Sequence, residues 1–258
     1  MSASQARPDR YAVIGHPIEH SRSPVIHQLF ARQTGENMSY EAIDVPVEAF
    51  ETAVRGFGAA GGKGLNITVP HKRASFRLCN ELGPEAAQAG AVNTITFRVD
   101  GRLRGDNTDG RGFMRDLLEN LEQPIEGRRV LILGAGGAAR GILPPLLAAE
   151  PVVLTLANRT LERAEAMIEE LGTPPIVEAT TFEALAQQKP FDVVVNATSA
   201  GLHGEQPPFP ASCIGPDTFC YDLAYSLKDT PFVLWARAHH AMEAVQGWGM
   251  LVEQAAES

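Results

Sequence analysis

The chain has 258 residues, 44% of them hydrophobic and 21% charged, a length and balance that allow two packed domains and exclude wholesale disorder. Its 22 basic and 31 acidic residues give a formal charge of -9, which excludes the broad positive field of a polynucleotide binder and leaves room for a local pocket that takes one small anion. Aromatic residues are scarce at 7%, while 24 glycines and 18 prolines fit many tight strand-to-helix turns.

The predicted elements alternate from the start. Tyr11-Ala12-Val13-Ile14-Gly15 is an apolar run closed by glycine and Pro17, which reads as a strand. Residues 24–32 carry Val25, Ile26, Leu29 and Phe30 at helical spacing, with Ser23 as N-cap and Pro24 at the first helical position. A strand over 40–45 and a helix over 46–57 follow. The glycine-rich stretch 58–64 leads into Leu65-Asn66-Ile67-Thr68-Val69, which alternates like a strand and stops at Pro70. A helix around 71–82, a strand over 94–99 and a turn at Asp100-Gly101 complete a series that implies a mostly parallel sheet.

A second α/β series begins after Gly110, with Phe113, Leu117 and Leu118 on one face of a linking helix. Strands are predicted over 129–133, 152–157, 192–196 and 219–223, the last of these being the final strand. Helices are predicted over 138–147, 160–171, 230–238 and 249–256. Two α/β domains result, the second of Rossmann type, with a cleft between the carboxyl ends of both sheets.

Cys79, Cys213 and Cys220 form no disulfide framework and no zinc spacing, which points to reduced thiols and the cytoplasm. The first ten residues are polar and do not read as a secretory signal. The apolar stretch 142–157 is broken by Pro144, Pro145, Glu150 and Pro151, so no membrane span is expected. Asn-x-Thr triplets at Asn66, Asn158 and Asn196 carry no meaning in a cytosolic chain. Asp106-Asn107-Thr108-Asp109-Gly110 is no calcium loop, because Gly105 stands at the first ligand position. His16, His20, His27 and His71 read as turn or helix histidines, and no metal is expected.

Gly134-Ala135-Gly136-Gly137-Ala138-Ala139 matches G-x-G-x-x-[G/A]. The pattern is weak alone, but an apolar strand precedes it and a helix follows. Gly134 permits the sharp turn, Gly136 lets backbone N–H groups approach a pyrophosphate, and Ala139 is small enough for helix-to-strand packing. A site for NAD needs a carboxylate at the end of the next strand. That place holds Asn158-Arg159-Thr160. Arg159 offers a planar fork to a 2′-phosphate, Asn158 and Thr160 neutral hydrogen bonds, and Arg163 adds charge one turn on. NADP is the expected cofactor.

In the first domain, polar residues gather where strands end: Ser21, Ser23, Asn66, Thr68, Lys72, Asn93 and Asp109. Their segments are Ser21-Arg22-Ser23-Pro24, Gly64-Leu65-Asn66-Ile67-Thr68-Val69-Pro70-His71-Lys72, Gly90-Ala91-Val92-Asn93-Thr94 and Gly105-Asp106-Asn107-Thr108-Asp109-Gly110. Together with Asn158-Arg159-Thr160, Asn196-Ala197-Thr198-Ser199-Ala200-Gly201, Tyr221-Asp222-Leu223-Ala224-Tyr225 and Gly249-Met250-Leu251-Val252-Glu253-Gln254-Ala255-Ala256, they resemble the signature segments of the shikimate dehydrogenase family. The resemblance runs through nearly the whole chain in order. It departs at Gln246-Gly247-Trp248-Gly249, where the family carries an acidic residue, Gly, Leu and Gly, and at Ser258, short of the family's usual last helical turns.

The resemblance implies reversible NADPH-dependent reduction of 3-dehydroshikimate to shikimate, a step of aromatic amino-acid biosynthesis. It implies that Ser21, Ser23 and Tyr225 hold the substrate carboxylate. Thr68, Asn93, Asp109 and Gln254 would bind its hydroxyls, and Asn66 would line the same wall. Lys72 is the implied general acid/base, ammonium in reduction and amine in oxidation, with Asp109 beside it in the catalytic set. Toward the cofactor the implied residues are Gly134, Ala135, Gly136, Gly137, Ala138, Asn158, Arg159, Thr160 and Arg163, with Thr198, Leu223, Gly247 and Met250. Residues 1–110, completed by the C-terminal helix over about 241–258, would form the substrate domain, and 111–240 the Rossmann domain. The implied partners are shikimate and 3-dehydroshikimate, without nucleic acid or membrane, in a monomer or homodimer. A quinate/shikimate dehydrogenase paralogue and a nucleotide-binding regulatory protein without catalysis are the alternatives; the second should have lost Lys72 or Asp109.

Overall fold

The computed structural model describes residues 7–198 and 208–258. The chain divides into two compact units: the described residues up to Thr108 together with Ala255–Ser258, and Asp109–Gln254.

In the first unit the chain runs β1 (Asp9–Gly15), α1 (Ser23–Thr34), β2 (Met38–Asp44), α2 (Phe50–Ala59), β3 (Gly62–Ile67), α3 (Lys72–Leu78), β4 (Glu81–Leu82), α4 (Pro84–Ala89), β5 (Thr94–Phe97) and β6 (Leu103–Asp106). The strand order is β2-β1-β3-β5-β6-β4, and β5 alone runs antiparallel to its neighbours. Alternation along β1 sends Ala12 and Ile14 to a core with Phe50, Val54, Leu65, Ile67 and Ile95. Val13 goes to the opposite face, with Ile18 and Tyr40. The single helix expected over 71–82 ends at Leu78 instead. Asn80 exchanges bonds with Leu103, through its backbone N–H to the Leu103 carbonyl at 2.9 Å and its Oδ1 from the Leu103 N–H at 3.0 Å. That pairing draws Glu81–Leu82 into the sheet beside β6 and overrides the helical spacing.

In the second unit α5 (Asp109–Arg115) runs on as a π turn, Asp116–Asn120. There follow β7 (Arg129–Leu133), α6 (Gly137–Ala148), β8 (Val153–Ala157), α7 (Leu161–Glu170), β9 (Val177–Thr180), β10 (Val193–Asn196), β11 (Phe219–Asp222), α8 (Pro231–Ala238) and β12 (Glu243–Gln246). The last helix, α9 (Trp248–Glu257), carries the chain back to the first unit. The sheet is wholly parallel in the order β12-β11-β10-β7-β8-β9, the doubly wound Rossmann arrangement. Phe219–Asp222 is therefore not the final strand. Glu243–Gln246 pairs with it in parallel register, and its one fully buried side chain, Ala244, is too small a signal to read from sequence. The segment 241–258, expected to complete the first domain, thus gives a strand to the second sheet, and only Ala255–Ser258 group with the first unit. Leu118 is also corrected. Phe113 and Leu117 are fully buried, but Leu118, one residue past that i, i+4 pair and roughly 100° round the helix, is 42% exposed.

Candidate functional site

Near the carboxyl ends of β3 and β6 the register aligns Val13, Asn66, Thr94 and Asp106 across β1, β3, β5 and β6. A buried hydrogen-bond network starts from this row. The Asn66 Nδ2 donates to Thr94 Oγ1 at 3.2 Å and to the Asn93 carbonyl at 3.5 Å. The Thr94 hydroxyl donates to Asn93 Oδ1 at 2.9 Å. Asn93 then donates to Thr108 Oγ1 at 2.9 Å and accepts from the Thr108 N–H at 3.0 Å. On the other side Asn66 Oδ1 takes the Tyr40 phenol proton at 2.6 Å. Asn93 and Ser23 are buried, so these polar atoms must find partners inside the protein.

Ser23 is not the helix cap that its place before Pro24 suggests. Arg22 holds the cap position with no side-chain bond, and Ser23 is the first helical residue. Its N–H donates to Ser21 Oγ at 3.4 Å. Thr68 lies on the turn after β3, and Lys72 opens α3. The Thr68 N–H donates to Ile14 O and its carbonyl accepts from the His71 N–H, both at 2.9 Å. The glycine at 15 makes this approach possible, since a Cβ there would lie 2.5 Å from the Thr68 methyl. Lys72 is half-buried, and its carbonyl accepts from the Val92 N–H at 3.0 Å and from Ser75 Oγ at 3.0 Å. The start of α3 is thereby tied to the residue before Asn93. His71 is buried, bonds the Val45 carbonyl at 2.7 Å and stacks on Phe50, which makes it a packing residue whose pKa burial lowers.

In the second unit the glycine turn joins β7 to α6 beside β10, where the strand order reverses. Gly134 has φ +98°, and a Cβ there would meet the Thr198 methyl at 3.0 Å and the Ala197 carbonyl at 3.1 Å; both the left-handed backbone and the crowding require glycine. Its N–H donates to Ala157 O at 2.7 Å. The Ala135 N–H donates to Asn158 Oδ1 at 3.2 Å, which locks the turn to the end of β8. Gly136 caps α6, and a Cβ there would project into open space. Ala139 is fully buried against the sheet. Gly137 and Ala138 form the first turn of α6.

At the end of β8, Asn158 donates to Thr160 O at 2.8 Å, and Thr160 caps α7 without using its hydroxyl. Arg159 and Arg163 are exposed, and neither guanidinium has an ion-pair partner among the described residues. Thr198 gives both its N–H and its hydroxyl to Asn196 Oδ1, at 3.2 and 2.7 Å. Of the run 196–201, Ser199, Ala200 and Gly201 lie outside the described residues.

The loop 223–229 is fastened at several points. Asp222 accepts from Asn196 Nδ2 at 3.0 Å, the Ala224 N–H at 3.1 Å and the Thr230 hydroxyl at 2.6 Å. Burial still pushes its carboxyl up to about 6. Leu223 donates to Asn196 O at 2.9 Å, and Gly247 donates to Ala224 O at 3.1 Å. Gln246 holds both ends of a short span, accepting from the Ser226 N–H at 2.6 Å and donating to Lys228 O at 3.2 Å. The Tyr225 and Trp248 rings lie 4.8 Å apart. The Tyr221 phenol donates to Asp116 Oδ2 at 2.5 Å and accepts from the Met250 N–H at 3.3 Å. Asp109 is buried in the first turn of α5. Three residues on, Gly112 packs so closely on Gln254 that a Cβ would reach its backbone N at 2.5 Å, which sets Asp109 and Gln254 on adjoining helices.

The structure thus draws Asn66 and Asn93 into one network in the first unit with Tyr40, Thr94 and Thr108, while Ser23 is bonded to Ser21 at the start of α1, Thr68 lies on the turn after β3 and Lys72 opens α3. In the second unit it gathers the glycine turn, Asn158 and Thr198. Tyr40, Thr94, Asp222, Gln246 and Trp248 were missed from sequence as supports of these residues; each connects by side-chain bonds or rings across strands, which leaves no local spacing. Among the described residues no group of three or more His, Cys, Asp or Glu could hold a metal ion, and no helix is long and apolar enough to cross a membrane.

The strand order and the glycine turn define the second unit as a dinucleotide-binding Rossmann domain. Residues 13–95 match the family model for the shikimate dehydrogenase substrate binding domain, and residues 116–203 match that for shikimate / quinate 5-dehydrogenase. The chain is 56% identical over 250 residues to the shikimate dehydrogenase (NADP(+)) of Alkalilimnicola ehrlichii, covering 97% of this chain and 92% of that one. Among solved structures, an Ael1 enzyme from Pseudomonas putida is 47% identical with a TM-score of 0.84, over 96% of this chain and 91% of the other. The shikimate 5-dehydrogenase of Thermus thermophilus, in complex with NADP(H) and shikimate, is 36% identical with a TM-score of 0.83, over 96% and 91%. The chain belongs to the shikimate dehydrogenase family.

Proposed function

We propose that the chain catalyses the reversible, NADP-dependent interconversion of 3-dehydroshikimate and shikimate. The observation that carries this reading is the network of neutral donors and acceptors, Asn66, Thr94 and Asn93, with one lysine at the start of α3 whose carbonyl is tied to the residue before Asn93. A small polyhydroxylated acid needs many convergent hydroxyl and amide partners, and serine hydroxyls serve a carboxylate without arginine. Ser21, Ser23 and Tyr225 hold the carboxylate, Thr68, Asn93, Asp109 and Gln254 take the hydroxyls, and Asn66 lines the wall.

The second unit fits NADP. Gly134 gives the turn, Gly136 leaves space in front of the α6 N-terminus, and the chain after β8 carries Asn158-Arg159-Thr160 with no acid to repel a phosphate. Gly134, Ala135, Gly136, Gly137 and Ala138 would hold the pyrophosphate, and Asn158, Arg159, Thr160 and Arg163 the 2′-phosphate end. Thr198, Leu223, Gly247 and Met250 would line the nicotinamide end. When bound, the cofactor supplies the hydride for the carbonyl carbon. Lys72 gives a proton to the oxygen as it gains charge and takes it back in the reverse direction. Asp109, buried at the head of α5, accepts from a substrate hydroxyl.

The cytoplasm suits this chemistry and these thiols. Cys79, Cys213 and Cys220 are free, and burial pushes Cys79 up to about 11 and Cys213 up to about 12, which keeps them protonated and inert. A monomer or a homodimer would suffice. The test is a spectrophotometric assay of NADP⁺ reduction with shikimate, and with quinate and NAD⁺ as controls. Turnover with shikimate and NADP⁺ well above both controls is expected. No turnover, or equal turnover with quinate, would overturn the assignment.

A further inference from the structure

We propose that Tyr221 and Asp116 are positioning residues for the nicotinamide end of the cofactor, acting together as a side-chain cap on the helix that presents Met250. This rests on the reading that Gly247 and Met250 line that end, and neither member of the pair need touch the cofactor itself. All of the groups involved belong to the second unit.

A helix begins with backbone N–H groups that have no partner within it, and a serine or aspartate at the cap usually takes one of them. At α9 that place is closed to a side chain. Gly247 accepts the first intrahelical bond, from the Leu251 N–H at 3.0 Å, and a Cβ on it would lie 2.6 Å from the Leu223 carbonyl oxygen. The Tyr221 phenol, brought in from β11, replaces the missing cap. Its oxygen accepts from the Met250 N–H at 3.3 Å, three residues past Gly247, where a cap side chain would bond. Its proton goes to Asp116 Oδ2 at 2.5 Å, and Asp116 Oδ1 accepts from Asn120 Nδ2 at 3.0 Å. With its one proton spent there, the phenol can only accept from α9. Burial raises its pKa, as does Asp116 beside it, so the proton stays on the tyrosine. Phe113 meets the ring edge-on at 5.1 Å, and both Tyr221 and Asp116 are buried. A Cβ at residue 249 would collide with the Asp116 carboxyl, so the first turn of α9 rests directly on that group. Met250 is therefore held by a contact with Asp116 at the residue before it and by the phenol at its own N–H.

Tyr221→Phe keeps the ring and removes only the hydroxyl. Calorimetric titration of two nucleotides reads the effect: NADP⁺, and adenosine 2′,5′-bisphosphate, which has the 2′-phosphate end and no nicotinamide. NADP⁺ should bind about three- to tenfold more weakly and the bisphosphate within about twofold of wild type, since one buried bond behind the nicotinamide end is lost. Equal weakening of both nucleotides, or of neither, would overturn the proposal. Asp116→Asn offers one acceptor where two donors arrive and should give the same split; it also serves should Tyr221→Phe not fold. Combining the two substitutions should add less than about twofold to either alone, and full additivity would refute their acting as one unit. The split is read without turnover, so a wild type inactive on shikimate would sink the assigned reaction and leave this test standing.

Discussion

Single residues decide which molecules this chain takes. Arg159 stands where an acid would accept a ribose hydroxyl, and its exposed guanidinium has no ion-pair partner among the described residues, so its charge is available to a phosphate. Arg159→Ala should weaken NADP⁺ by about 10- to 100-fold and NAD⁺ by less than about threefold, on the scale of one charge-assisted contact. Equilibrium titration of both nucleotides checks this, and equal losses would place the 2′-phosphate elsewhere. Arg159 was legible in the sequence because its position counts from the glycine turn. Tyr40 was not. One tyrosine in an alternating strand is indistinguishable from a core residue until the fold brings its hydroxyl to Asn66. Ser23 was read as a cap, and only the fold shows Arg22 in that position and Ser23 as the first helical residue.

At the scale of elements, the loop between β11 and α8 matters most, because it presents Leu223 and Tyr225. Gln246 binds its Ser226 N–H and Lys228 carbonyl, and Trp248 backs Tyr225. Gln246→Ala removes both amide bonds and should free the loop. Trypsin cleavage after the exposed Lys228 is expected to speed up several-fold, and the shikimate KM to rise by a similar factor. Unchanged cleavage would show that Asp222 and Gly247 hold the loop without Gln246. This support was hidden because it depends on β12, whose Glu243-Ala244-Val245-Gln246 buries only one small side chain fully. The same weakness concealed β4 and β9, short strands whose place is set by neighbours rather than by their own pattern. The long apolar strands and the glycine turn, by contrast, were plain.

For the whole molecule, alternating strands and helices foretold two α/β units, while strand order came only from the three-dimensional pairing. Stability at this scale should depend on pH through buried groups of opposite sign. His27, stacked on Tyr40, is lowered to about 4 by burial. The unfolded chain, near 6.5, binds a proton that the folded one refuses, so stability is present above about pH 6.5 and is lost as pH falls toward 4. Asp222, raised to about 6, works the other way, its burial cost fading as pH drops from 6 toward 4. Replacing His27 by Phe keeps the stack and removes the first effect. The stability of the wild type relative to His27→Phe should therefore be smaller at pH 5 than at pH 7 by up to about 2 kcal/mol, measured by denaturant unfolding; a constant difference would mean that His27 titrates normally. The central claim is that Lys72 of the first unit handles the substrate's proton while the Rossmann unit carries the cofactor. It is tested most directly by Lys72→Ala, with calorimetric binding of shikimate and NADP⁺ measured alongside turnover. Both ligands should bind within about threefold of wild type while kcat falls by about 10²- to 10⁴-fold; a variant that keeps most of its turnover would contradict the claim.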